Sequence, residues 1–238
     1  MRSILITNDD GIEKDGLIRL ATAAKEFGEV WIVAPDGQRS AASHSITLHD
    51  PIDVIPHDFP VKGVKAFSCS GTPADCVRVG SLGVMQRKPD AVLSGINYGY
   101  NVATDIQYSA TCGAAFEGAF QGLPSIAFSE DMSDCHEVTD AYLGKMLEEF
   151  LFRPFQRGQI LNINFPGCSI SQCKGILYDR TVSSGMFYRD HYVAKEKLPG
   201  GGIRYEVEGD YSEECEDGTD FRAILDGYVS VGVVDNII

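Results

Sequence analysis

No run of apolar residues in this 238-residue chain approaches the ~20 needed to span a bilayer. No apolar segment follows a basic start at the N-terminus, so no signal peptide is expected. Cysteine pairs at C-x-x-C spacing are absent. The seven cysteines, Cys69, Cys76, Cys112, Cys135, Cys168, Cys173 and Cys215, are odd in number and scattered. They read as reduced thiols in a reducing compartment, and the expectation is a soluble cytoplasmic protein. The five histidines, His44, His49, His57, His136 and His191, form no ligand pair at helical spacing, and no Cys/His cluster suits zinc. Positive charge is also scarce: 20 Lys and Arg stand against 34 Asp and Glu, for a formal net charge of −14. That field argues against a nucleic-acid polymer or an anionic membrane surface as partner. It also repels free phosphate, so a phosphate ligand needs a local cation and a helix N-terminus to hold it.

What is present suits one large domain, or one domain with an extension, with 44% apolar residues to fill a core. Ile4-Leu5-Ile6 reads as a buried first strand. Leu17, Leu20, Ala21, Ala24 and Phe27 keep helical spacing, and Gly28 suits the stop. Strand patterns recur at Val30 to Ala34, Ala91 to Leu93, Ser125 to Phe128 and Ile160 to Phe165. Between them lie a helix start at Thr72-Pro73-Ala74-Asp75, a small-residue helix from Thr111 to Phe120, and an amphipathic helix through Val138, Tyr142, Leu147 and Leu151. Strands separated by helices imply a mostly parallel sheet in an α/β core. After Pro166 the pattern changes: Ile176 to Ser184 and the segments around Pro199-Gly200-Gly201-Gly202 read as strands and a hairpin. A short helix at Phe221 to Leu225 and a last strand at Tyr228 to Val234 follow. The expectation is a single domain over 1–238, with an α/β core at 1–166 and an irregular β-rich extension at 167–238.

The richest local signal is Thr7-Asn8-Asp9-Asp10-Gly11, directly after the first strand. In a parallel sheet, the loops at the carboxyl ends of the strands share one edge, where doubly wound proteins bind ligands. Two carboxylates forced together there need a cation between them, or one must hold a proton. The loops after the next strands bring Ser40 and Asn97 to the same edge. Asp9, Asp10, Ser40 and Asn97 offer only oxygen donors, which suits one hard divalent cation, Mg²⁺ or Mn²⁺. The helix opening at Thr111 offers free N–H groups and a positive dipole end, with hydroxyls from Ser109 and Thr111. Cation and anion sites on one rim point to phosphoryl chemistry, with water activated by Asp9 or Asp10. Each piece also has a plainer reading: a solvated turn for the first motif, a loop serine for Ser40, helix packing for the small residues after Thr111. His44 is a candidate proton donor to a leaving group or a loop histidine of no such role. Arg39 is a phosphate contact or an ordinary surface arginine. Tyr98, Tyr100 and Tyr108 stack on a base or serve packing. The acidic stretch from Glu208 to Asp220 reads as a solvated loop.

Several blocks then carry a resemblance: TNDDGI (7–12), VAPDGQRSAASHSITL (33–48), GTPADCV (71–77), PDAVLSGINYGYN (89–101), Asp105 to Gly113 followed by AAFEG, LPSIAFS (123–129), LNINFP (161–166) and GYVSV (227–231). The chain resembles the SurE family of metal-dependent 5′/3′-nucleotidases. The resemblance implies a Rossmann-like three-layer core with a C-terminal extension used in dimer or tetramer assembly. It implies hydrolysis of nucleoside 5′- and 3′-monophosphates, and in some members of short polyphosphate. It places the cation on Asp9, Asp10, Ser40 and Asn97, with Asn8, Asn97, Asn101, Ser109 and Thr111 around the phosphate. Two departures stand out: Ala110 lies where the family usually carries glycine, and the family usually has a glycine near Ala103, so an added methyl is expected to shift the backbone at the phosphate cradle. Aspartyl-phosphate enzymes fit less well. Their Asp-x-Asp is absent here, and the receiver-type phosphoacceptor position holds Ser94-Gly95. A nucleotide or phosphate sensor without turnover is the other alternative.

Overall fold

The computed structural model describes residues 2–236. In chain order the elements are β1 (Ser3–Thr7), α1 (Asp15–Ala24), β2 (Glu29–Pro35), β3 (Val54–Pro56), β4 (Lys65–Cys69), α2 (Pro73–Val79), β5 (Ala91–Tyr98), α3 (Ala110–Phe120), β6 (Ser125–Glu130), α4 (Glu137–Phe150), β7 (Gln159–Phe165), β8 (Ile176–Leu177), β9 (Tyr188–Lys197), β10 (Ile203–Tyr211), α5 (Asp220–Leu225) and β11 (Val229–Asp235). A nine-stranded sheet runs in the order β3-β4-β2-β1-β5-β6-β7-β11-β8, and β9 and β10 form a separate two-stranded arm. From β4 to β7 every neighbouring pair is parallel; β3 and β11 are antiparallel to their neighbours β4 and β7. The α/β reading with a mostly parallel sheet is therefore what the molecule shows, and the hairpin lies where the glycine-rich turn at 199–202 placed it.

The sequence explains the central strands simply. All five residues of β1 are buried, because helices cover both faces of the sheet and no face alternates to water. α1 packs its buried stripe of Leu17, Leu20, Ala21 and Ala24 into the same core as Ile4, Ile6 and Leu93. α2 starts on the expected capping box: Thr72 Oγ1 accepts from the Asp75 N–H at 3.1 Å, and Asp75 Oδ2 accepts from the Thr72 N–H at 3.0 Å.

Four elements differ from expectation. β5 does not stop at Leu93; it stays paired through Tyr98, with Asn97 opposite Ser129 and Tyr98 opposite Glu130 after a register shift. Its polar end looks like a loop in sequence, but β6 pairs with Asn97 and Tyr98, and the Tyr98 N–H donates to Asp10 Oδ2. β3 and β4 were not anticipated, since each is short and lacks a long apolar run. The strand expected over Ile176 to Ser184 reduces to Ile176–Leu177, paired with β11; beyond it the segment keeps single contacts, the Arg180 N–H to the Val231 carbonyl at 3.0 Å and an isolated bridge from Thr181 to Thr219. Among the described residues no helix is long and apolar enough to cross a membrane.

Strand order reverses beside β1. The chain moves outward from β1 to β2 on one side and returns to β5 on the other. The crevice at that switch point is bordered by the loops after β1 and β5.

Candidate active site

The loop after β1 is locked by its own side chain. Asn8 Nδ2 donates to the Gly11 carbonyl at 2.9 Å, and the Gly11 N–H donates back to Asn8 Oδ1 at 3.3 Å. Gly11 takes φ +111°, a conformation that L side chains rarely adopt. This tight turn thrusts Asp9 and Asp10 out at the end of β1. Asp9 is buried, and Thr111 Oγ1 donates to its Oδ1 at 2.5 Å. Burial first, then the charge of Asp10, push the Asp9 carboxyl up to about 6, against the lowering hydrogen bond from Thr111. Burial also raises Asp10, whose Oδ2 accepts from the Tyr98 N–H at 3.2 Å. Among the described residues neither carboxylate lies within 4.0 Å of a Lys, Arg or His nitrogen.

Asp9, Ser40, Asn97, Asn101 and Ser109 wall one cavity of about 430 Å³. Asn97 Nδ2 donates to the Gly99 carbonyl at 2.8 Å, which leaves its Oδ1 as the free end of the amide. Ser40 is exposed, and its Oγ accepts from Gln38 Nε2 at 3.0 Å. Its loop is held close to α3 because Gly113 has no side chain: a Cβ there would stand 2.4 Å from the Ser43 carbonyl oxygen. The Arg39 N–H donates to the Asp9 carbonyl at 2.7 Å and the Ser43 N–H to the Tyr108 carbonyl at 3.0 Å, tying the same loop to both sides of the cavity. Asn101 is set by β6 and β7: its Nδ2 donates to Ser129 Oγ at 2.7 Å, and its N–H to Asn164 Oδ1 at 2.9 Å. Ser109 caps α3, accepting from the Cys112 N–H at 3.0 Å, so its hydroxyl proton remains available to a ligand.

Three expected residues are not on the cavity wall. Asn8 spends both ends of its amide on the Gly11 turn. Thr111 faces β1 and holds Asp9. Asp10 sits beside the wall, bonded to Tyr98. His44 turns away: its Nε2 lies 3.1 Å from Glu117 Oε2 and its ring packs 5.2 Å from that of Phe120. Arg39 pairs with Asp36 at 2.8 Å on the surface. Tyr98, Tyr100 and Tyr108 do line the cavity.

Sequence reasoning missed Asp105, Met186, Tyr188 and Asp190, which complete the wall. Tyr188 and Asp190 stand two apart on β9 and so share a face. That spacing was legible, but nothing in it revealed that the extension folds back over the crevice. Asp220 explains the return: its Oδ2 accepts from the Ala103 N–H at 3.1 Å and its Oδ1 from the Ser183 N–H at 2.9 Å.

With this geometry in place, a family model described as "Survival protein SurE" matches residues 4–186. The chain belongs to the SurE family. A protein named 5′-nucleotidase SurE from Synechococcus sp. is 38% identical over 240 residues, covering 96% of this chain and 90% of that one. A protein named 5′/3′-nucleotidase SurE from Erwinia tasmaniensis is 39% identical over 230 residues, with coverage of 96% and 88%. The crystal structure of the SurE protein from Aquifex aeolicus superposes with a TM-score of 0.81 at 34% identity, covering 98% of this chain and 93% of that chain. Ala103 and Ala110 take different backbones. Ala103 adopts φ +53°, in the left-handed region, whereas Ala110 is the first residue of α3.

Proposed function

We propose that this chain is a divalent-cation-dependent phosphomonoesterase. It hydrolyses nucleoside 5′- and 3′-monophosphates to nucleoside and phosphate, with short polyphosphate as a further substrate. The names of the nucleotidase relatives support the substrate class. The observation that carries the chemistry is a pair of adjacent carboxylates at the sheet's switch point, on the same rim as the start of α3, with no Lys, Arg or His nitrogen of the described residues within 4.0 Å of them. Among the described residues no three His, Cys, Asp or Glu side chains gather to hold a metal. A cation here is therefore held by Asp9 and Asp10 with neutral oxygens from Ser40 and Asn97. That donor set fits Mg²⁺ or Mn²⁺. When bound, the cation supplies charge neutralisation at the phosphate and lowers the cost of bringing an anion to this acidic chain.

The chain's own groups do the rest. Ser109 donates its hydroxyl proton to a phosphate oxygen, and the Ala110 and Thr111 N–H groups precede the first intrahelical bond of α3, from Gly113 to Ser109. Asn101, immobilised by Ser129 and Asn164, orients a further oxygen. Thr111 fixes Asp9, and Asp9 or Asp10 takes the proton of the attacking water. Assembly as a homodimer or homotetramer is part of this proposal. The β9–β10 arm supports it by exposing Tyr192, Ile203, Tyr205 and Val207.

The test is release of inorganic phosphate from 5′- and 3′-nucleotides, before and after EDTA, with Mg²⁺ or Mn²⁺ restored. Activity should vanish on chelation and return with the cation. Asp9→Asn and Asp10→Asn should each lower turnover about a hundredfold or more, the scale of losing a transition-state electrostatic partner. Near-normal activity in both variants refutes the site. Tight nucleotide binding without turnover would identify a sensor instead.

A further inference from the structure

A cavity of about 260 Å³ lies between the end of α4, the first half of β7 and the middle of β11. It shares no residue with the carboxylate cavity. Its floor is apolar: Phe150, Leu161 and Val231 line it, and none is more than 3% exposed. Tyr178 and Asp179, just after β8, form one wall. That segment passes close over β11 because Gly232 has no side chain: a Cβ there would stand 2.2 Å from the Arg180 carbonyl oxygen. The margin carries charges of both signs, Arg153 after α4 and Asp179 after β8. The Arg153 guanidinium lies 5.6 Å from the centre of the Phe150 ring. Among the described residues neither Arg153 nor Asp179 forms an ion pair. Glu149 adds a second carboxylate at the carbonyl end of α4, and its Oε2 accepts from the Tyr178 hydroxyl at 3.2 Å.

We infer that this cavity binds a small zwitterion with an apolar side chain, an α-amino acid of about the size of leucine. Opposite charges without ion-pair partners, set over one apolar floor, complement a ligand that carries both charges and an apolar group. A ligand with one charge answers only one of them. The volume falls just below the ~300–1,000 Å³ of drug-sized sites, which admits a small amino acid and excludes a nucleotide. The ligand's orientation follows from the chemistry of the margin. The guanidinium of Arg153 presents its N–H groups in the fork that suits a carboxylate. Asp179 receives the ammonium, with Glu149 and the negative end of the α4 dipole on the same side. The side chain then lies on Leu161 and Val231, and its burial drives binding. Asp179 takes φ +57°, in the left-handed region, which Asp and Asn adopt more readily than other L-residues. Asn can therefore replace it without redirecting the chain.

Calorimetry with L-leucine and its analogues tests the site on the wild-type protein alone. L-Leucine should bind. Glycine, which keeps both charges and lacks the side chain, should not bind at the same concentration. Isocaproate lacks the ammonium and isoamylamine lacks the carboxylate; each should bind about tenfold more weakly than L-leucine or worse, the scale of one charged hydrogen bond. Two variants then assign the charges. Arg153→Gln should weaken L-leucine and isocaproate and leave isoamylamine unchanged. Asp179→Asn should weaken L-leucine and isoamylamine and leave isocaproate unchanged. No binding of L-leucine at millimolar concentration, or equal binding of glycine and L-leucine, overturns the site. An analogue that binds as tightly as L-leucine overturns the zwitterion. Parallel loss of both analogues in either variant overturns the orientation.

Discussion

Thr111, on the first turn of α3, donates its hydroxyl to Oδ1 of Asp9, at the end of β1. The bond joins the two elements that build the rim and ties the start of α3 to the carboxylate pair. It also works against burial, which raises the Asp9 carboxyl to about 6. A hydrogen bond to a charged group contributes about 1.5–3 kcal/mol, or roughly one to two pKa units. Thr111→Val keeps the shape and removes the donor, so Asp9 should hold its proton to higher pH. Protons and a divalent cation compete for the same oxygens. The cation concentration for half-maximal activity should therefore rise more at pH 6 than at pH 8, and Thr111→Ser should restore it. An equal rise at both pH values would mean that Thr111 acts only through packing.

His44 follows Ser40 closely enough to suggest a proton donor, but the fold turns it toward Glu117. That carboxylate also accepts from Arg78 Nη1 at 3.2 Å and Gln121 Nε2 at 3.2 Å, so Glu117 joins the loop to α2 and α3. His44→Gln should leave turnover within a few-fold of wild type and lower stability by about 1 kcal/mol, the scale of one hydrogen bond. Steady-state kinetics beside a urea titration read both. A hundredfold fall in kcat with unchanged stability would restore the histidine to the chemistry.

Legibility in the sequence followed the range of the interactions. The apolar strands, the Thr72–Asp75 capping box and the carboxylate turn are local, and local physics places them correctly. Asp9, Ser40, Asn97 and Ser109 reach one cavity wall because parallel topology sends strand ends to one edge; Asn101, on the same wall, followed only from the SurE resemblance. Asn8 was assigned to the ligand by the SurE resemblance and Thr111 by its hydroxyl at a helix start; neither signal reports their hydrogen bonds to Gly11 and Asp9. The contribution of Tyr188 and Asp190 depends on Asp220 catching Ala103 and Ser183, contacts of 117 and 37 residues' separation. No sequence period reports such a contact.

Ala103 and Ala110 should respond to Gly in opposite directions. Ala103 sits at φ +53°, where an L-residue costs about 1–2 kcal/mol. Gly removes that cost, offset by about 0.4–1 kcal/mol of unfolded-chain entropy. Ala103→Gly should thus stabilise slightly. Ala110 has helical geometry with no such strain, so Ala110→Gly should cost about 0.5–1 kcal/mol. A combined gap near 1 kcal/mol corresponds to a Tm difference of about 2–4 °C in calorimetry. Shifts of the same sign in both variants would contradict the backbone assignment at residue 103.

Asp75 gives the protein a predictable acid sensitivity. It is buried, and Thr47 donates to it through both its N–H, at 2.9 Å, and its hydroxyl, at 2.7 Å, while the Thr72 N–H donates at 3.0 Å. Burial alone would raise its pKa, but these donors outweigh burial and hold it below the ordinary 3.8. A carboxyl whose folded pKa is depressed contributes stability above the unfolded value and loses it as pH falls through the folded one. Asp75→Asn turns an NH₂ toward donors and should cost about 2 kcal/mol at pH 7. Below the unfolded value of about 3.9 the unfolded carboxyl takes up its proton first and the folded one only at lower pH, so the two unfolding free energies should begin to converge there and do so further as pH falls. Urea titrations at pH 7, 5 and 3.5 measure that gap. A gap that stays constant across the three would show that Asp75 holds the 45–47 loop by shape and not by charge.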